Sequence, residues 1–284
     1  MTYDLKIEIH TRKDISSWET GHAILSVPFS KAELAPQRVA TLGEVTSRHG
    51  HNVESIEECE PHWGLKGTFR FEDAPRDFMV PFNWKRKNAA KSYGDVDFSN
   101  SNDNLLRNYS AISFYAKYKK GLDWLGLFRN WCEIASPFAA ILHPFILDDG
   151  LKGKPKSVME YSNEEDFLEQ AWSRFLHGSL YTQFRFGELN SLRSGLTNLG
   201  WASWFGDEFA DEVDEPAISA AGFPVSKIGN GYLVQVTNQI EDVKGNFPLF
   251  SKRRAELKSL FRPGLFMIAD EPANHLNTSH AEVG

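Results

Sequence analysis

The spacing of apolar and polar positions predicts the first element. Over 3–10 the apolar residues Leu5, Ile7 and Ile9 take every second place, the period of a strand with one buried face. Residues 23–29 read as a second strand, and Pro28 assigns it to a sheet edge because proline has no N–H for a ladder. The stretch 30–60 is polar with scattered apolar residues and predicts at most one short helix, around 36–47. Further strands are predicted over 64–72, 77–85 and 111–119. Asp, Ser and Asn crowd together over 94–104, which reads as a loop.

The period then changes. Leu122, Leu125, Phe128, Trp131 and Ala135 recur at steps of three and four and predict an amphipathic helix over 122–135. A polar connector over 148–157 precedes a second helix, 163–177. There Ser162 and Glu165 form a capping box, and Phe167, Leu168, Ala171, Trp172, Phe175 and Leu176 build one stripe. Strands are predicted over 180–186, 199–205 and 231–237. A third helix, 248–261, carries Lys252, Arg253, Arg254 and Lys258 on its outer face. Strands come in groups and helices singly, which predicts an α+β fold, a mainly antiparallel sheet packed by about three principal helices. The expected organisation is a single domain over 1–269, with a flexible tail over 270–284. Strands followed by a helix in both halves also admit two lobes, 1–147 and 162–269.

Composition narrows the function classes. The 284 residues carry Lys+Arg 31 against Asp+Glu 38, a net charge of −7. That balance argues against a protein that coats nucleic acid, which needs a basic footprint, and suits a basic partner. No apolar run approaches the ~18 residues of a spanning helix, and the opening lacks the apolar core of a signal peptide. Two cysteines, Cys59 and Cys132, are too few for a disulfide framework. The expectation is a cytoplasmic protein that engages neither membrane nor nucleic acid.

Signatures of catalysis are missing. The sequence has no phosphate-binding glycine loop, no H-E-x-x-H, no G-x-S-x-G elbow and no paired C-x-x-C. Gly229 and Gly231 precede a strand, the wrong context for a dinucleotide site. Asp95, Asp97, Ser99, Ser101 and Asp103 alternate as in a calcium loop. Asn100 and Leu106, however, stand where the sharp glycine turn and the bidentate glutamate belong. His49, His51, Cys59 and His62 are of zinc-ligand type and define the alternative function, a metal-assisted hydrolase. Their spacing follows no established pattern, and Glu54, Glu57, Glu58 and Glu60 among them disfavour a thiolate at Cys59. A non-enzyme without cofactor or metal is therefore expected.

The sharpest compositional feature is 207–215. Asp207, Glu208, Asp211, Glu212, Asp214 and Glu215 make six of its nine residues acidic, and none is basic. Phe209 and Val213 lie between them. Carboxylates around an apolar anchor steer and orient a basic partner. Trp201 and Trp204, three apart on a predicted strand, are expected on opposite faces, with Trp204 presented beside the acids as an interface anchor. The expected partner-binding set is thus Trp204, Asp207, Glu208, Phe209, Asp211, Glu212, Asp214 and Glu215.

From about 110 to 265 the layout resembles bacterial polymorphic-toxin immunity proteins, in particular immunity protein family 52 and type VI secretion immunity proteins. The likeness is carried by the aromatic helix and by Gly200-Trp201 opening a strand. After the acidic stretch it continues in Gly229-Asn230-Gly231-Tyr232-Leu233-Val234-Gln235-Val236-Thr237 and the closing helix 248–261. The resemblance implies a non-catalytic cytoplasmic α+β protein that binds a toxin encoded beside it. Covering or distorting the toxin's active site would protect the producing cell.

Overall fold

A computed structural model describes residues 3–71, 74–99, 109–146, 196 and 198–266. The elements predicted over 163–177 and 180–186, the connector 148–157 and the tail 270–284 lie outside these residues. The fold is α+β, with antiparallel strand pairing and three long helices among the described residues. Contacts divide the chain into two compact units, Lys6–Ala140, and Met1–Leu5 with Ile141–Gly284.

In the Lys6–Ala140 unit the strands are β1 (Tyr3–Thr11), β2 (Arg38–Thr41), β3 (His51–Asn52), β6 (Phe82–Arg86), β7 (Ser92–Asp97) and β8 (Ser110–Lys117). Their spatial order is β1-β8-β7-β6-β2-β3, and the pairs from β8 to β3 are antiparallel. β4 (Lys66–Phe71) and β5 (Ala74–Met79) form a separate antiparallel pair. The predicted strand 77–85 is therefore two strands, divided at Val80 and Pro81, and part of the predicted loop 94–104 belongs to β7. No helix forms around 36–47, where β2 runs instead.

The segment predicted as an edge strand, 23–29, lies in a helix, α1 (Trp18–Phe29). Ser17 caps it by accepting from the Thr20 N–H, and Gly21, Ile24, Leu25 and Pro28 bury one stripe at helical spacing. Pro28 sits in the last turn and leaves the carbonyl of Ile24 without its helical N–H. The indole of Trp131 donates to that carbonyl at 2.9 Å. Trp131 belongs to α2 (Trp124–Ala135), the helix predicted over 122–135; Asp123 caps it, and it ends at Ser136 in a left-handed conformation. Its ring also meets Phe114 of β8 edge-on, so the two helices cover the face carrying Phe114. Beneath them Trp84 lies across Gly94 so closely that a Cβ there would clash with the indole.

The second face of β1 departs from expectation. Lys6, Glu8 and His10 alternate with Leu5, Ile7 and Ile9, yet all six are buried. Lys6 forms an ion pair with Glu8, and Glu8 also contacts Nε2 of His10 at 3.0 Å. Lys6 and Glu8 tolerate burial side by side because their opposite charges pair with one another.

In the unit containing 141–284 the strand order is β11-β12-β10-β9, from β9 (Ala139–Ile146), β10 (Ala202–Phe205), β11 (Val225–Ile228) and β12 (Gly231–Gln235). β12 pairs antiparallel with both β10 and β11. Helix α3 (Glu215–Ala220) and the short α4 (Asp242–Gly245) precede α5 (Phe247–Lys258), which is the helix predicted over 248–261. The basic face expected of α5 is divided. Lys252 and Arg253 reach Glu256, whereas Arg254 is fully buried over the ring of Phe250 and directed at the Leu199 carbonyl.

Candidate functional site

The acidic segment connects β10 to α3 and is held from within. The Phe209 N–H donates to the Gly206 carbonyl at 2.8 Å, and a single 3-10 turn follows over Ala210–Glu212. Phe209 and Val213 point inward and are buried. Asp207 accepts from the side-chain amide of Asn230, and Glu212 pairs with Arg262. Asp214 caps α3 by accepting from the Ala217 N–H at 3.0 Å, and Glu215 and Pro216 occupy the first turn. Asp-x-Pro is a helix-start signal legible in the sequence. Asp207, Glu208, Asp211 and Asp214 face solvent, while Glu212 and Glu215 are half-buried.

The apolar anchor expected beside these acids is not at the surface. Trp204 is 3% exposed and Phe209 1%. Every residue of β10 is buried and so is Trp201 just before it, so a spacing of three sends neither tryptophan to solvent. Trp204 lies over Gly231, where a Cβ would come within 2.5 Å of the indole. The Trp201 backbone N–H donates to Nδ1 of His143 at 3.0 Å, and its indole donates to the Thr237 hydroxyl at 3.1 Å. Both tryptophans build the core. Among the described residues the exposed large apolar side chains are Leu42, Leu65, Phe69 and Leu249, none of which the sequence pattern had distinguished.

The four candidate zinc ligands do not converge. His51 and His62 stack with ring centres 4.5 Å apart, and burial followed by the charge of His51 lowers the His62 pKa. Nε2 of His49 contacts the Thr41 carbonyl at 2.9 Å, while the Cys59 thiol is directed toward the Ser55 carbonyl. Burial, then Glu58 and Glu57, push that thiol up to about 12, the wrong direction for a nucleophile. Among the described residues no three His, Cys, Asp or Glu side chains are grouped to hold a metal ion. The alternating oxygens proposed for calcium begin inside β7, where Asp95 stands opposite Ser113 of β8, so a strand replaces the start of the supposed loop.

No helix among the described residues is long and apolar enough to cross a membrane. No protein-family model matches the sequence. No curated protein matches it either. Among solved structures the chain is similar to one described as the Pseudomonas aeruginosa T6SS protein PA0821. The likeness has a TM-score of 0.53, covers 91% of this chain and 75% of that one, and carries 10% sequence identity. What the two chains share is therefore a fold, one used by a type VI secretion protein.

Proposed function

We propose that this chain is a non-catalytic immunity protein that binds and neutralises a cognate toxin or effector of a type VI secretion system, protecting the producing cell from the cytoplasmic side. The observation that carries this reading is the fold shared with a type VI secretion protein over 91% of the chain. The acidic segment supplies the chemistry: Glu208 and Asp211 are exposed on a connection whose backbone is fixed by the 3-10 turn and the cap of α3. A rigid anionic surface suits a basic toxin domain such as a nuclease, because little ordering is needed on binding. The arrangement of His49, His51, Cys59 and His62 gives no support to hydrolysis at a metal.

The test begins with the full chain, tagged and recovered from its native cells with its partner. The expected partner carries a domain that arrests growth when expressed alone, and co-expression of this chain relieves the arrest. A chain that relieves no such arrest overturns the proposal. Within it, Glu208→Lys with Asp211→Lys is expected to weaken binding at least tenfold and to reduce its salt dependence. Unchanged affinity would remove the segment from the interface while leaving neutralisation standing.

A further inference from the structure

β4 and β5 stand apart from the larger sheet as a ribbon of two strands. Two strands alone are marginal in water, and a third strand is the usual remedy. The register sorts the ribbon's side chains by face. Leu65, just before β4, shares one face with Gly67, Phe69 and Phe78, and the Phe69 and Phe78 rings meet edge-on at 5.4 Å. Leu65 is nevertheless 38% exposed and Phe69 46%. Lys66, Thr68, Arg70 and Asp77 occupy the opposite face, where the Thr68 hydroxyl donates to Asp77 at 2.6 Å.

The two edges of the ribbon differ. The Val80 N–H donates to the Leu65 carbonyl at 2.8 Å, which makes Leu65 and Val80 a hydrogen-bonded pair. Alternation then directs Gly67 and Phe69 at β5 and turns the N–H and C=O groups of Lys66, Thr68 and Arg70 outward. All three residues are exposed, and among the described residues no further strand lies beside them. On β5 the outward residues are Pro75, Asp77 and Met79; proline has no N–H to offer, so that edge is blunted. The edge of β4 carries no such block.

We propose that the outer edge of β4 takes an extended segment of a partner protein as a third strand, a segment in which acidic and apolar residues alternate. Main-chain hydrogen bonds to Lys66, Thr68 and Arg70 would hold it, and its side chains on the two faces would select it. Acidic residues opposite Lys66 and Arg70 meet the opposite charge, while apolar residues on the other face extend the surface of Leu65 and Phe69. The same cations argue against a second copy of the chain. Antiparallel pairing of two β4 edges about Thr68 would set Lys66 against Arg70 of the second copy, like charges directly opposite. The inference goes beyond the immunity reading and does not depend on it.

The experiment presents the full chain with two labelled synthetic peptides, one alternating valine with glutamate and one alternating valine with lysine. The glutamate peptide is expected to bind at least tenfold more tightly, read by fluorescence anisotropy. Hydrogen exchange at the amides of Lys66, Thr68 and Arg70 is expected to slow when it binds. Lys66→Glu with Arg70→Glu should reverse the preference between the peptides. Thr68→Pro, which removes one outward N–H and no ladder bond, should abolish binding of either. The proposal is overturned if the glutamate peptide does not bind, if it binds without protecting those amides, or if its advantage survives the charge reversal. Amides already protected in the free chain would overturn it too, and protection that grows with protein concentration would assign the edge to a second copy. None of these failures touches neutralisation of a toxin, which the growth-arrest test reads separately.

Discussion

Asp95 of β7 lies where burial, then the charges of Asp97 and Glu8, push its carboxyl up to about 7 from an ordinary 3.8. The folded chain keeps a proton there that the unfolded chain releases. Its contribution is thus fully present below about pH 4 and is lost as pH rises through about 7. Asp95→Asn removes that slope. Urea denaturation at several pH values is expected to show the variant gaining about 4 kcal/mol on the wild type at about pH 8, with little difference in acid. Equal slopes would mean that Asp95 ionises freely in the folded protein. Glu8 has the opposite sign. Burial pushes its carboxyl up, but Lys6 and His10 outweigh burial and hold it at about 2, so its contribution is present above about pH 4.5 and disappears on acidification.

At the scale of elements, α1 and α2 are joined by the bond from the Trp131 indole to the Ile24 carbonyl that Pro28 leaves unsatisfied. Trp131→Phe would retain a large aromatic ring but strand a buried acceptor. A loss of about 1–3 kcal/mol is expected from chemical denaturation, whereas a neutral result would mean that the acceptor finds another donor. The same pair shows what was legible beforehand. α2 was readable because its apolar stripe repeats over the whole element and because aspartate and serine mark its ends. α1 was not, because the run Ala23-Ile24-Leu25-Ser26-Val27 suits a strand locally, and its helical stripe is completed only by Gly21 and by tertiary contacts. The acidic segment was legible as charge but not as architecture, since the inward turn of Phe209 depends on the hydrogen bonds of the 3-10 turn. The left-handed turn at Leu42 was not legible either, because a backbone angle is not contained in composition or periodicity.

For the whole molecule, net charge and exposed apolar surface belong to different stretches of chain. The acids of 207–215 surround residues that are buried, whereas the exposed large apolar side chains described lie elsewhere, Leu42, Leu65 and Phe69 in the Lys6–Ala140 unit and Leu249 on α5. A toxin recognised by charge alone would show binding that collapses with added salt, while an apolar anchor would leave a salt-insensitive remainder. On the function proposed above, titration of the purified chain with its partner across ionic strength is expected to show binding that weakens with salt, and Glu208→Lys with Asp211→Lys to flatten that dependence.

Both cysteines of the chain, Cys59 and Cys132, are buried within the Lys6–Ala140 unit, and their thiols are held far from ionisation. A thiol reagent therefore reads the opening of that unit and is blind to the rest of the chain. Labelling is expected to be slow in the native protein and to accelerate under mild denaturant as this unit opens. Without any engineered probe, the chain thus carries its own clock for one of its two halves, and comparison with a probe of the other half, such as hydrogen exchange at the amides of β10 and β12, would tell whether the two melt as one.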